Sequence, residues 1–147
     1  MSLVSFTQRP VYTIELSSTV TEAARRMCHY GVGALVIIDA QDSAPVGVFT
    51  DRDVVVMIAE GIDPREETVA RFLHAPLHSA LIAESFDDVL AKMRKHGVRR
   101  LPIIDANGKL CGLVSLDDML VLLGNEMADV AATITSEIDQ ESMLRRL

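Results

Sequence analysis

The sequence has little cysteine, and its two cysteines, Cys28 and Cys111, form no CxxC pair and no Cys/His cluster. The pattern therefore gives no indication of a cysteine-based metal site. Separated cysteines of this kind are usually small buried apolar residues and fit a reducing compartment. We therefore expect a cytoplasmic protein in which the thiols are buried.

Long apolar runs are also absent. The longest apolar stretches, such as Met119–Leu123, fall far short of the roughly 20 residues that a membrane crossing needs. The opening stretch, Ser2–Pro10, alternates apolar and polar residues and is unlike a signal peptide. The sequence therefore predicts neither a membrane span nor a leader.

Positive charge is scarce, because 14 Lys and Arg residues stand against 21 Asp and Glu residues, a formal net charge of −7. An acidic chain is repelled by a phosphate backbone, so nucleic acid is not expected as a partner. Enzyme signatures such as the P-loop, G-x-S-x-G and H-E-x-x-H do not occur either. The acidic pairs Asp51/Asp53 and Asp117/Asp118 stand at predicted helix starts, where acids are favoured anyway. We therefore predict no enzyme, no catalytic residue and no metal site.

The four histidines show no metal-ligand spacing. We interpret them as surface residues or satisfied, partly buried residues: His29, His74, His78 and His96.

What the sequence does contain is a duplication. The pattern Gly-Val-x-x-Leu-x-Ile-Ile-Asp beginning at Gly31 returns 66 residues later at Gly97. A Gly-x-x-[Ser/Thr]-x-x-Asp segment follows in each copy, beginning at Gly47 and 65 residues later at Gly112. The one-residue difference falls in a turn, where a length change is cheapest. Two copies indicate a paired, pseudo-twofold domain and argue against an open solenoid.

Each copy predicts the same order of elements, β-α-β-β-α. Capping-box spacing begins helices at Thr19 and at Ser85, each followed by an apolar stripe at i, i+3, i+4 and i+7. Apolar runs separated by turn residues predict hairpins over residues 35–50 and 101–114. The expected fold class is α+β, a mixed α/β chain.

The expected boundaries are a first repeat over residues 3–61, a linker over 62–67, a second repeat over 68–123 and a helical tail over 124–147. Gly124-Asn125 predicts the end of one helix and the cap of the next. A tail helix over residues 126–145, closed by Arg145-Arg146, then carries an apolar stripe. The stripe needs a partner, either the domain's own face or a second subunit, and the sequence leaves both open.

This arrangement resembles the cystathionine-β-synthase (CBS) domain pair, also called a Bateman module. The matching segments are Gly47–Asp53, Gly112–Asp118 and Gly97–Pro102, and the resemblance covers about residues 3–123. It implies tandem repeats packed with pseudo-twofold symmetry and association through helices into a homodimer. It also implies clefts between the halves that hold adenosine compounds such as AMP, ADP, ATP, S-adenosylmethionine or NAD-like molecules, with no covalent cofactor.

The resemblance also implies which residues bind the nucleotide. Carboxylates accept hydrogen bonds from ribose hydroxyls, and a hydroxyl at a helix start favours an anion. Apolar side chains flank the adenine ring, and guanidinium groups bind phosphates. The candidates for the ribose are Asp53 and Asp118, and the candidates at a helix start are Thr50 and Ser115. The candidates for the adenine ring are the apolar residues Val48, Leu113, Leu101 and Pro102, and the pair Arg99 and Arg100 is the candidate for the phosphate.

The first copy departs from this pattern. Gly33-Ala34 stands where the second copy has its arginine pair, and Val36 stands where it has proline. Arg52 is a candidate replacement for the missing charge, and Arg99, near the pseudo-twofold axis, is a candidate to serve either cleft.

Simpler interpretations compete with the ligand site. Ser/Thr-x-x-Asp is also a capping box worth about 1 kcal/mol, and Arg99-Arg100 is also a solvated strand end. Three hypotheses follow: a regulatory module that senses an adenosine nucleotide and signals to a partner protein or through its own dimer; a ligand-free homodimeric interaction module with vestigial clefts; and, least favoured, a catalytic or metal-dependent protein.

Overall fold

The computed structural model describes residues 3–7, 10–74 and 76–144, and the same β-α-β-β-α order occurs twice along them. The α+β fold class is therefore confirmed. In chain order the elements are α1 (Val4–Thr7), β1 (Thr13–Glu15), α2 (Val20–Tyr30), β2 (Ala34–Ile38), β3 (Pro45–Thr50), α3 (Asp51–Ala59), a short 3₁₀ helix (Val69–Phe72), β4 (Ala80–Leu81), α4 (Phe86–His96), β5 (Arg100–Ile104), β6 (Leu110–Ser115) and α5 (Leu116–Leu144).

Each copy builds its own three-stranded sheet. In the first sheet β2 lies in the centre, parallel to β1 and antiparallel to β3, with Val36 opposite both Thr13 and Val48. The second sheet has the equivalent order β4-β5-β6, and β4 is parallel to β5. Strand β4 is short, because only Ala80 and Leu81 pair with β5.

Local signals in the sequence fix both ends of the two equivalent helices. Thr19 begins α2 and Ser85 begins α4, each through a reciprocal capping box with the acidic residue three positions later. Gly31 and Gly97 end these helices with φ = +64°, in the left-handed conformation that an L side chain resists. The duplicated sequence thus encodes a duplicated helix of 11 residues.

A long basic side chain ties each of these helices back to its sheet. The Arg26 guanidinium donates a hydrogen bond to the Thr13 carbonyl, and Lys92 Nζ donates one to the Ser79 carbonyl at 3.1 Å. The two pairs are related by the 66-residue offset. Long polar side chains on α2 and α4 therefore help to hold each helix against its sheet.

The apolar stripes pack as their spacing predicts. Met27 and Met93 occupy equivalent buried positions on α2 and α4. In the first copy the stripe of α2 joins a core of nine buried residues. They come from the sheet, from α2 and α3 and from the 3₁₀ helix: Ile14, Val20, Ala23, Met27, Leu35, Ile37, Phe49, Met57 and Val69.

The helical tail differs from its prediction. The chain forms two compact units, one ending at Val114 and the other beginning at Ser115, and α5 runs unbroken through the second. At 1.5 Å per residue its 29 residues span about 43 Å. The break predicted at Gly124-Asn125 is wrong, because one helical glycine costs only about 1 kcal/mol and long helical segments flank it. Arg145 and Arg146, which were to close the helix, lie outside the described residues.

Two remaining expectations concern the membrane and the cysteines. Within residues 3–7, 10–74 and 76–144, no helix is both long and apolar enough to cross a membrane. Both thiols are free; Cys111 is partly buried, but Cys28 is exposed. The expectation that both are buried is therefore wrong for Cys28, which lies on the outer face of α2.

The glycine that ends α4 provides a test of these signals. Gly97→Ala should lower the free energy of unfolding by about 1–2 kcal/mol, the cost of left-handed backbone for an L residue. A Cβ at Gly97 would have no atom within 4 Å, so the cost is conformational and not steric. Urea unfolding followed by circular dichroism measures it.

Gly124→Ala is the matched control, because a Cβ there also meets nothing within 4 Å but the backbone is helical. It should stabilise the helix by up to about 1 kcal/mol. A loss of stability in both variants would contradict the conformational explanation.

Candidate functional site

The end of β3 carries the first pair of predicted ligand residues, Thr50 and Asp53. Thr50 is the N-cap of α3: its hydroxyl oxygen accepts a hydrogen bond from the Asp53 amide at 3.4 Å. In return, Asp53 Oδ2 accepts hydrogen bonds from the Thr50 amide at 2.7 Å and from the Thr50 hydroxyl at 2.9 Å. The capping interpretation of this motif is therefore correct. Both of these returning bonds use Oδ2, and a carboxylate has a second oxygen with which to accept a ligand hydroxyl.

The second pair, Ser115 and Asp118, repeats the arrangement at the start of α5. The Ser115 hydroxyl donates to Asp118 Oδ2 and accepts from the Asp118 amide at 3.1 Å. Both residues are half-buried, as are Thr50 and Asp53. The same local geometry therefore stands at the end of the last strand in each copy.

A cleft of about 290 Å³ lies between segments of the two copies, within the unit that ends at Val114. This volume is at the lower end of the range of small-molecule sites, about 300–1,000 Å³. Its lining comes from β3, from the chain leading into β4 and from the segment joining α4 to β5: Gly47, Val48, Phe72, His74, Pro76, Leu77, His78, His96, Val98 and Arg100.

Close packing forms one wall of this cleft. A Cβ on Gly47 would stand 2.6 Å from Leu73 Cδ2, so the glycine lets the chain after the 3₁₀ helix pass directly over β3. The Phe72 ring contacts the Phe49 ring edge to face, with centroids 5.3 Å apart. These contacts bring Phe72 and His74 to the cleft beside Val48.

The described lining of the cleft contains an arginine and no acid, although the chain is acidic. Among the described residues that line it there are three histidines and Arg100, and there is no Asp or Glu. The chain as a whole has a net charge of −7. A concave surface that presents an arginine and three histidines, without an acid, favours an anionic ligand.

Arg100, and not Arg99, is the arginine that lines the cleft. Its guanidinium also reaches the first copy, because Nη2 lies 3.7 Å from the point where a Gly33 Cβ would stand. Asp51 Oδ2 lies 3.1 Å from the same point. Gly33 thus leaves room for the arginine of the other copy. Arg52 is exposed, and its backbone N–H donates to Asp51 Oδ1 at 2.9 Å.

The apolar candidates divide into two groups. Val48 lines the cleft, and Leu113 is half-buried on β6. Leu101 is fully buried and Pro102 is buried, so in this structure neither presents a surface to a ligand in the cleft. The reason is the sheet, since β5 lies in its centre and both faces near its middle are covered.

Sequence reasoning missed the histidines of the cleft. The rings of His78 and His96 are stacked, with centroids 3.6 Å apart and an angle of 18° between their planes. The sequence did hold a signal, because the 66-residue offset pairs these positions with Tyr12 and Tyr30. Those two rings are also stacked, with centroids 4.0 Å apart and an angle of 17°. Stacked rings therefore occur at equivalent positions of the two copies.

The environment of His96 disfavours its protonated form. Loss of solvent around the ring lowers the pKa of His96 below its ordinary 6.5, and the charges of His78, Lys95 and Lys92 lower it further. No carboxylate offsets these charges among the lining residues described, and Glu84 is already paired with Lys92 Nζ.

The described residues contain no group of three or more His, Cys, Asp or Glu side chains placed to hold a metal ion.

Comparison with known proteins identifies the family. The sequence model of the CBS domain matches twice, at residues 4–60 and 69–125. The chain belongs to the CBS domain family. The CBS domain-containing protein YhcV of Bacillus subtilis is 34% identical over 125 residues, which are 84% of this chain and 86% of the relative. Protein MK0525 of Methanopyrus kandleri is 32% identical over 121 residues, or 82% of this chain but only 61% of that relative.

Solved CBS structures share the fold. The CBS domain protein PAE2072 from Pyrobaculum aerophilum, complexed with AMP, has a TM-score of 0.75 and 23% identity over 85% of this chain and 99% of its own. The CBS domain pair of protein MJ0100, in complex with 5′-methylthioadenosine and S-adenosyl-L-methionine, also has a TM-score of 0.75, with 22% identity over 86% of this chain and 98% of its own. At this identity the likeness establishes the fold alone.

The histidine environment generates a pH prediction for the ligand-free protein. In the unfolded chain His96 has its ordinary pKa of 6.5, and in the folded chain its pKa is lower. Between these two values the unfolded state binds more protons, so stability rises with pH there. The contribution of His96 to the free energy of unfolding should therefore fall as the pH drops below 6.5 and level off below the folded pKa, and it should be small because solvent screens the exposed ring.

Urea unfolding at a series of pH values measures this loss. His96→Gln should remove the part that His96 contributes, whereas His29→Gln, on the equivalent helix of the first copy, should retain it. A loss of equal size in wild type and His96→Gln would contradict the assignment.

Proposed function

We propose that this chain is a regulatory CBS-pair module that binds an adenosine-containing ligand, AMP, ADP or ATP, in the cleft between its repeats. The single observation that carries the proposal is the cationic lining of a cleft shared by two copies in an otherwise acidic chain. A nucleotide has the complementary character: an apolar ring face, a ribose with two hydroxyls and an anionic phosphate.

The apolar part of the cleft suits the base. Val48 on β3 faces the same space as Leu77 and Val98 from the second copy. Aliphatic side chains on opposite sides of a narrow cleft can enclose a purine ring and remove its faces from water, at about 25 cal/mol per Å² of apolar surface. The 290 Å³ volume suits one ring system and its sugar, not a macromolecule.

Polar groups for the sugar and phosphate are Arg100, which lines the cleft, and Thr50 and Asp53, which follow the cleft residue Val48 along the chain but are not among the described lining residues. Thr50 lies two residues after Val48, and on a strand such residues share one face. Its capping partner Asp53 brings a carboxylate to the same strand end. Arg100 offers a planar fork of donors to a phosphate. Ser115 and Asp118 provide the equivalent groups at the end of β6.

Relatives of known structure support the ligand class. One protein of this fold was solved with AMP, and another with 5′-methylthioadenosine and S-adenosyl-L-methionine. All three compounds contain adenosine. Regulation then requires that the ligand bind one arrangement of the module more tightly than another, since equal affinity for both shifts nothing. The regulated partner protein and a cytoplasmic location remain predictions.

A thermal-shift and calorimetry series with AMP, ADP, ATP and S-adenosylmethionine tests the proposal. At a hundredfold excess over its Kd, a ligand should stabilise the protein by about 2.7 kcal/mol. Arg100→Ala should weaken phosphate-bearing ligands, and Lys109→Ala, an exposed hairpin residue, should not. Absence of a shift with every adenosine compound would favour the ligand-free interaction module.

Asp53→Ala separates ligand binding from helix capping. Asp88 caps α4 through Ser85 in the same way, but it follows the start of α4 and not the end of β3 or β6. Both Asp53→Ala and Asp88→Ala should cost about 1 kcal/mol of stability by losing a cap. Only Asp53→Ala should also lose the ligand response at its site, and Asp118→Ala should do so at the equivalent site. A ligand response that survives in Asp53→Ala would leave the cap as its sole role.

A homodimer is the second part of the proposal, and exposed apolar side chains on α3 favour it. Val55 is 60% exposed and Ile58 is 62% exposed. Their equivalents by the 65-residue offset, Leu120 and Leu123 on α5, are 59% and 40% exposed. Repeated apolar positions on the last helix of each copy are typical of a surface that another subunit covers.

Val55→Asp/Ile58→Asp should convert a dimer into a monomer in light scattering. Each buried aliphatic side chain contributes about 1.5–3 kcal/mol, so the dimer Kd should rise at least about a hundredfold. Leu81→Ser, at an exposed apolar residue of β4, is the control and should leave the mass unchanged. A wild-type protein that is monomeric at all concentrations would overturn the homodimer.

A further inference from the structure

The two copies place stacked rings at matching positions but differ in the chemistry of those rings. Tyr12 stacks on Tyr30 in the first copy, and His78 stacks on His96 in the second, with nearly equal angles between the ring planes. A phenol does not take up a proton between pH 5 and 8, whereas an imidazole does. The second copy therefore has a pair of imidazoles where the first copy has a pair of phenols, and both imidazoles line the cleft.

The stack resists a second proton in the absence of ligand. Two imidazolium rings 3.6 Å apart would place like charges face to face. The other charged groups around the pair add to the repulsion: Lys92 and Lys95 from α4, Arg100 from β5 and, when protonated, His74 from the chain before β4. The Glu84 carboxylate is engaged by Lys92. Partial loss of solvent at the exposed His96 ring and the charges of His78, Lys95 and Lys92 hold the pKa of His96 below 6.5.

An anion in the cleft would reverse this balance. A phosphate group beside the rings supplies the negative charge that the lining lacks, so it favours the protonated pair. By linkage, a proton on the pair then favours the phosphate to the same extent. The stacked geometry suits this role better than metal binding, because imidazole lone pairs lie in the ring planes and parallel rings do not aim them at one point.

We propose that the His78–His96 stack makes the cleft a proton-coupled anion site, in which a phosphate group binds together with uptake of a proton by the ring pair. The inference rests on the proposed function for its ligand, a phosphate-bearing adenosine compound, and adds how that ligand would be regulated. Affinity rises as the pH falls, by up to about tenfold per pH unit for each proton taken up.

The first copy supplies the matched variant. His78→Tyr/His96→Tyr rebuilds the Tyr12–Tyr30 stack in the second copy, so the rings stay in place but no longer titrate in the neutral range. Calorimetry of AMP binding between about pH 5.5 and 8, in buffers of different ionisation enthalpy, counts the protons taken up. The phosphate of AMP titrates in the same range, but identically for both proteins. The difference between wild type and variant therefore isolates the ring pair.

A second measurement needs no variant and no adenosine. Inorganic pyrophosphate is added to the wild-type protein, and the ring protons of His78 and His96 are followed by NMR as the pH is changed. The inference expects pyrophosphate to raise the pKa of His96, and it expects AMP binding to take up more protons in wild type than in the double variant.

The outcomes separate this inference from the proposed function. If AMP binds with equal proton uptake in both proteins, the inference is overturned and the nucleotide sensor stands. If pyrophosphate raises the His96 pKa but no adenosine compound binds, the anion site is supported and the adenosine ligand is wrong. If neither probe moves the His96 titration, the inference is overturned whether or not the double variant folds.

Discussion

In each copy one residue ends a strand and begins a helix, and the candidate ligand groups depend on that junction. Thr50 is the last residue of β3 and the N-cap of α3. Because its hydroxyl accepts the amide of the third residue onward, the chain has to leave the extended conformation there. This fixes Val48 before the turn and Asp53 after it. The hydrogen bonds that begin the helix thus also fix the positions of the candidate ligand groups Thr50 and Asp53, although neither is among the described residues that line the cleft.

Local charge, and not net charge, determines what the cleft can bind. The formal charge of −7 argues against a nucleic-acid surface, but it says nothing of a cleft lined by three histidines and Arg100. Low-dielectric walls concentrate the field of the Arg100 guanidinium. Arg100 gains further importance because its guanidinium also stands beside Gly33 of the first copy. The copy that lacks its own arginine pair is therefore not without a nearby cation.

The sequence predicted what depends on local signals. The repeated element order and the helix starts at Thr19 and Ser85 follow from capping and spacing, and the structure agrees. The sequence wrongly predicted a helix end at Gly124, because the long helical segments on both sides outweigh the low helix propensity of one glycine. It also offered Leu101 as a ligand contact although the residue is buried, because a motif does not show which face of a central strand is covered.

The histidine stack is a feature of the cleft that the sequence patterns did not predict. Spacing searches look for groups that are close along the chain, and His78 and His96 are 18 positions apart. Only the fold brings His78, just before β4, against His96, the last residue of α4. The duplication was the available signal, since two rings recur at both positions of both copies.

At equivalent positions the two copies share the geometry of their side-chain contacts and differ in the chemistry of the side chains. Arg26 and Lys92 make the same tie from helix to strand with different cations. The stacked rings keep their angle while phenol becomes imidazole. A ring pair that only packs gains nothing from becoming titratable, and imidazole rings among cations carry an electrostatic cost that phenols avoid. Since His78 and His96 line the cleft, we interpret this electrostatic cost as the property that favours binding of an anion there.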